Sequence, residues 1–444
     1  MTARSSRRVL LSLSLSLALA GAASAALAAS LPEPDAIFET FPDAEIELGQ
    51  LLFYDPILSG SGAVACATCH HPRFGTSDGL SLGLGDGAKG LGPDRVTDPG
   101  NMPEERVPRN ATALFNLGAA EFTRMFHDGR LEADPSRPSG LRTPLEDDMV
   151  MGFDSALAAQ AMFPVLSPDE MAGHYQENDV STAVRQGLLT SDGGAWDRLA
   201  ARIEAIPEYR ARFDAVIGPE APVTFADIAN AIAAFIAFEW RADDSPFDRY
   251  LRDGTPMSPD ATAGMELFYG KAGCGTCHSG QFQTDHDFHA IAMPQIGPGK
   301  KERFESSFKD VGRMRVTGLD EDAYRFRTPS LRNVTKTAPY GHAGSYATLE
   351  GAVRHHLDPE ASLRAYDATQ AVLPDLGGHD DLVALHDTAE IDAIAAANEL
   401  APMSLDDAEV AQILAFLEAL TDPKGLEGRL GVPKTVPSGK PVDQ

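Results

Sequence analysis

The chain has 444 residues, with 37 Lys and Arg against 65 Asp and Glu, giving a formal net charge of −28. Such an excess of acid argues against nucleic acid or anionic lipid as partners, and suits either solubility or the steering of a basic protein partner. The length allows about two to three domains, each with its own core.

Residues 1–28 read as a secretory signal peptide. Arg4, Arg7 and Arg8 precede an apolar Leu/Ser/Ala stretch, and Ala23-Ser24-Ala25 and Ala26-Leu27-Ala28 offer two cleavage sites. The run is short and broken by serines, which disfavours an uncleaved anchor, and no later stretch is long and apolar enough to span a bilayer. Cleavage would remove three arginines and take the charge to −31. The mature chain is then expected to be soluble in the periplasm.

The next expected helix carries Gly49-Gln50-Leu51-Leu52-Phe53-Tyr54 and leads into Cys66-Ala67-Thr68-Cys69-His70. A Gly/Pro-rich connection follows from Gly83 to Pro108. Thr224 with Asp227 is a capping-box start, after which Ile228, Ile232, Phe235 and Ile236 share one helical face. The earlier phrase then returns as Gly264-Met265-Glu266-Leu267-Phe268-Tyr269 and Cys274-Gly275-Thr276-Cys277-His278. A second irregular connection spans Met293 to Lys300, and Ser404 with Asp407 predicts a last helix striped by Val410, Ile413, Leu414, Leu417 and Leu420. Strand-like alternation is scarce, so the expected fold is mainly α, loop-rich and internally duplicated. The halves are taken as residues 29–222 and 223–444.

All four cysteines fall in the two Cys-x-x-Cys-His motifs. Two disulfides or one four-thiolate zinc site would explain the cysteines but not the histidine that follows each pair. Covalent c-type haem explains both: the thiols add to the porphyrin vinyl groups, and the adjacent imidazole reaches the iron. His70 and His278 are the expected proximal ligands. Whether each haem carries electrons or meets peroxide depends on its far side, which is closed by a sixth ligand or left open.

The stretches VPRNATALFNLG, FHDGR, PDEMAG, SPFDRYL and RTPSLRNVTKTAPYGHAGSYATLEGAV resemble the bacterial di-haem cytochrome c peroxidase and MauG superfamily over nearly the whole mature chain. The resemblance implies two cytochrome c-like helical domains, each with one covalent haem c. The N-terminal haem would react with peroxide and the C-terminal haem would relay or store electrons. By the same resemblance, Glu170 matches the distal glutamate, a role that peroxide chemistry also requires because one proton must leave the inner oxygen and one must reach the outer oxygen. Asn110, Thr337 and Pro339 match a calcium site between the domains, built of oxygen donors suited to a hard cation.

Three departures stand out. Relatives carry a removable distal histidine in a loop of type S-x-G-H, where this chain has Ser81-Leu82-Gly83-Leu84. Leucine cannot ligate iron, so the first haem is expected to be open at rest; His71, beside His70, is expected to point away. The sixth ligand of the second haem, counted 14 residues beyond His342, falls on His356, with His355 as the neighbouring alternative and Met314 as an outsider. His127 replaces the tryptophan of FWDGR, which leaves the path between the haems unassigned. Trp196 and Trp240 are expected to pack rather than relay, and His286 and His289 to be structural or to touch haem propionates.

Three functions follow as expectations. One is peroxide reduction with electrons from a small periplasmic cytochrome c or cupredoxin, which an acidic surface would attract if it were basic. Another is MauG- or MbnH-like oxidation of tryptophan residues in a partner protein, which the departures favour. A di-haem electron carrier without peroxidase activity is the third.

Overall fold

The computed structural model describes residues 30–301 and 306–444, so the expected signal peptide lies outside the described residues. Helices and irregular connections dominate, and the only sheets among the described residues are three small antiparallel ones of two or three strands.

Two helix pairs form the two cores. Helix α1 (Asp43–Tyr54) packs against α2 (Phe225–Glu239), and α3 (Pro259–Tyr269) packs against α5 (Asp407–Glu418); α4 (Leu349–Leu357) borders the second pair. The repeated glycine sets both crossings. A Cβ at Gly49 would stand 1.8 Å from the Ala231 carbonyl oxygen, and one at Gly264 would stand 1.8 Å from that of Gln412. Only a residue without Cβ lets the backbones approach so closely. The repeated phenylalanine then fills the same place in each half: Phe53 lies 5.4 Å from Phe235, and Phe268 lies 5.2 Å from Phe416. Aromatic pairs at this separation add to the area they bury.

Thr224 caps α2 through a box with Asp227, as the sequence predicts. Helix α5 starts differently from expectation. Its cap is Asp406 in a box with Glu409, because that carboxylate reaches the Glu409 amide while Ser404 lies two residues too early. The packing boundary also differs from residue 223. Helix α2 belongs to the first core, together with Trp240 and Ala242. Residues 428–444 return to that core as well: Val436 is buried in it, Ser438 hydrogen-bonds Asp55, Lys440 bonds the Gly62 carbonyl, and Asp443 accepts from Thr68.

A buried ion cluster joins the halves. Arg109 forms a two-pronged bond to Asp310, 2.7 Å on each prong, and pairs with Asp128 at 2.7 Å. Burial alone would raise the pKa of both carboxyl groups, but the Arg109 charge outweighs it and holds them below the usual carboxylate range. Both tryptophans pack in the first core, Trp196 stacked on Phe225 and Trp240 against Phe53 and Phe235.

Candidate active site

Each Cys-x-x-Cys-His turn opens onto its own cavity. Cys66, Cys69 and His70 line the first, and Cys274, Cys277 and His278 line the second, so the four thiols do not gather into one metal site. Burial pushes the Cys66, Cys69 and Cys274 thiols up to about 12, so none is set up as a stable thiolate.

The hydrogen bonds of the histidines sort them by capacity to bind metal. His70 Nδ1 faces the Thr76 carbonyl at 3.1 Å, His278 Nδ1 faces that of Gln283 at 2.9 Å, and His356 Nδ1 faces that of Ala352 at 2.7 Å. A carbonyl only accepts, so each Nδ1 carries the proton and each Nε2 keeps a lone pair. This is how ligand histidines are oriented by their surroundings. Burial lowers the pKa of all three, and for His278, held near 4, the proximity of His356 adds to it; the rings stay neutral as metal binding requires.

In the second cavity, the His278 and His356 rings lie 6.4 Å apart between centroids. Two imidazoles bound to one metal from opposite sides, with nitrogens about 2 Å from it, have centroids about 6.3 Å apart. His355 is placed differently. Its Nδ1 lies 2.9 Å from Tyr346 Oη and its Nε2 lies 2.7 Å from the Ile291 carbonyl, so both nitrogens are engaged. Consecutive helix positions point about 100° apart, which is why only one of the pair can face His278. Met314 does not line this cavity.

No second histidine on the first cavity mirrors His356. His127 lines it from the wall shared with the second cavity; its Nε2 donates to the Asn110 carbonyl at 3.0 Å, so its lone pair is on Nδ1, the opposite nitrogen from that of His70, His278 and His356. Leu84 is buried and does not line the cavity, whereas its neighbour Gly83 does. Glu170 lines this cavity from a single π-turn, Pro168–Ala172, in which the Ser167 carbonyl takes three successive amides. Such turns recur where a side chain must be aimed at a functional site. His71 does not line the cavity, and its Nδ1 accepts from the Arg73 amide.

Both cavities suit a porphyrin that carries carboxylates. Lys300 lies half-buried on the first with no hydrogen bond or ion pair among the described residues, its pKa lowered by desolvation and then by Arg130. Arg327 lies half-buried on the second, bonded only to carbonyls, and desolvation pulls it down to about 10. His342 also lines the second, stacked on Phe326 at 3.8 Å, with neither ring nitrogen hydrogen-bonded. Haem propionates would give these groups partners. Lys300 and Arg327 did not stand out in the sequence, because an isolated cation carries no spacing signal, and His342 served there only as the point from which His356 was counted. His286 and His289 are tied to carboxylates instead, His286 to Glu121, and His289 to Asp285 and Glu399.

Asn110, Ala111, Thr112 and His127 line both cavities and form the wall between them. Asn110 Nδ2 donates to the Leu80 and Ser81 carbonyls, which leaves Oδ1 as its remaining acceptor. Thr337 and Pro339 line the second cavity with it, and among the described residues neither carbonyl accepts a backbone hydrogen bond.

Two duplicated helical units, each presenting a Cys-x-x-Cys-His turn to a cavity, define a di-haem c-type cytochrome. Residues 43–255 match the family described as di-haem cytochrome c peroxidase. The methylamine utilization protein MauG of Methylorubrum extorquens is 30% identical over 331 residues, covering 74% of this chain and 72% of its own. Cytochrome c peroxidase Ccp of Escherichia coli is 30% identical over 346 residues, covering 75% and 58%. The di-haem peroxidase BthA of Burkholderia thailandensis shares the fold, with a TM-score of 0.58 at 21% identity over 94% of each chain. A MauG-like protein associated with microbial copper homeostasis does too, with a TM-score of 0.55 at 24% identity over 90% and 95%. The chain belongs to the di-haem cytochrome c peroxidase and MauG family, and it is a peroxidase-type oxidoreductase with haem c cofactors.

Proposed function

We propose that the protein reduces hydrogen peroxide at an open N-terminal haem held by Cys66, Cys69 and His70. A second haem, held by Cys274, Cys277, His278 and His356, relays electrons taken from a protein donor. The observation that carries this reading is the contrast between the cavities. Two lone-pair-bearing histidines face each other across the second at metal-spanning distance, and the first has a histidine on one side and a carboxylate on its wall.

The haem supplies the redox chemistry of O–O cleavage, and the protein supplies the protons. Glu170 takes the proton from the inner peroxide oxygen and returns it to the outer one as water leaves. His70 is fixed by Thr76, and the half-buried cations Lys300 and Arg327 would hold the cofactor carboxylates. Calcium, bound by Asn110 Oδ1 and the Thr337 and Pro339 carbonyls, stiffens the wall between the sites. We place the protein in the periplasm on the pattern of its first 28 residues; no described helix is long and apolar enough to cross a membrane.

A second reading concerns the donor. With histidine rather than methionine as sixth ligand, the second haem favours oxidised iron, and MauG is among the relatives that show the family. Both favour a donor that is itself modified, a tryptophan-bearing partner protein, over a cytochrome or cupredoxin that is only re-reduced. Turnover with peroxide and each candidate, followed by mass spectrometry of the candidate, separates the two. Added oxygen atoms or lost hydrogens on a partner tryptophan support modification; an unchanged donor mass with continued peroxide loss supports plain reduction. No peroxide consumption with any donor contradicts both.

A further inference from the structure

Resting on the reading that the second haem collects electrons from outside, we propose that Tyr324 is their point of entry. It gives one electron toward that site as its phenolic proton passes to Glu390, and is re-reduced by a basic one-electron protein donor.

Tyr324 lines the second cavity and also reaches the surface as a half-buried residue. Its hydroxyl donates to Glu390 Oε1 at 3.0 Å. Glu390 is fully buried, and its other oxygen lies 2.6 Å from Lys309 Nζ, whose side chain is 42% exposed. Burial and then the Glu390 charge raise the phenol pKa, so Tyr324 is protonated in the resting protein and its proton must leave with the electron. A carboxylate already hydrogen-bonded to that oxygen is the group to take it.

Each peroxide takes two electrons and two solvent protons to give two waters, so the relay runs twice per peroxide. Each time, Tyr324 loses one electron toward the haem and one proton to Glu390; the one-electron donor returns the electron and Glu390 the proton. Tyr340, the other tyrosine on this cavity, cannot do the same, because its hydroxyl donates to the Val334 carbonyl, which cannot hold a proton.

The backbone points the same way. Tyr324 has φ +59°, a left-handed conformation that bulky side chains rarely adopt, held by its amide bond to the Val311 carbonyl at 3.0 Å. Such geometry persists where the surroundings dictate it, and it clusters at functional sites. Just before it, Leu319, Asp320 and Glu321 are exposed, an apolar and acidic rim suited to a basic partner.

The test uses holoprotein, wild type and Tyr324→Phe, mixed with one equivalent of hydrogen peroxide and freeze-quenched for electron paramagnetic resonance. Re-reduction by a reduced basic cytochrome c is followed optically. Wild type should give an organic radical signal that narrows with ring-deuterated tyrosine, and Tyr324→Phe should lose it and re-reduce about tenfold more slowly or worse. Glu390→Gln, with the tyrosine intact, should lower the radical yield and change the solvent deuterium effect, which covers the case in which the first variant fails to fold. If wild-type iron signals ignore peroxide, the underlying reading falls and the relay with it. If iron is oxidised but radical and rate are unchanged in both variants, the relay alone is wrong.

Discussion

His127 Nε2 donates to the carbonyl oxygen of Asn110 at 3.0 Å, and both residues line both cavities. Asn110 also holds the Leu80 and Ser81 carbonyls through its side chain, and its amide donates to the His342 carbonyl. One residue thus ties the loop beside the first site to the wall between the sites and to the second half.

Removal of the proposed calcium by a chelator, or Asn110→Ala, should leave both haems attached while uncoupling them. Peroxide added to the resting protein should then perturb the optical bands of the first haem but not the second. Unchanged coupling in both tests would show that no cation is bound at this wall.

Glu170→Gln should bind both haems normally and lose about 10²–10⁴-fold in its rate of reaction with peroxide, the range typical of a positioned acid–base group. Stopped-flow mixing measures it. A rate within a factor of about two of wild type would remove Glu170 from proton transfer.

His356→Ala should turn the second haem high-spin and leave the first unchanged. His355→Ala should keep the ligand, since both of its nitrogens are already engaged with Tyr346 and Ile291. The reverse result would move the ligand by one residue.

The Arg109 cluster makes a pH prediction. Asp128 and Asp310 are held below their unfolded values, so the stability they contribute is complete above about pH 4 and is lost as pH falls through their folded pKa values. Arg109→Met should leave Asp310 buried without a counter-charge and Asp128 with Arg130 alone, at 3.3 Å, and cost about 3–5 kcal/mol at neutral pH. Its stability should then recover, rather than fall further, as the carboxyl groups protonate on mild acidification. Urea melts between neutral and acid pH test both signs.

Features that repeat or follow spacing were legible in the sequence. The Gly49/Phe53 and Gly264/Phe268 phrases announced two equivalent helix crossings, and Thr224 announced the start of its helix. Ser404 misled because Asp406, two residues on, is an equally good cap in the right register. The first core was drawn too short because α2 follows the Gly/Pro-rich first half in sequence yet packs on α1. Counting reached His356, but only the helix phase separated it from His355. Lys300, Arg327 and Tyr324 gain meaning from what surrounds them in space, so no local pattern could mark them.

The most direct measurement is the electron paramagnetic resonance spectrum of the ferric holoprotein before any reductant is added. One high-spin and one low-spin iron is the predicted result, with an open site at His70 and a His278/His356 pair at the other. Two low-spin irons would contradict it, reveal a sixth ligand in the first cavity, where His127, Met171 and Lys300 lie on the wall, and point to a form awaiting activation or an electron carrier.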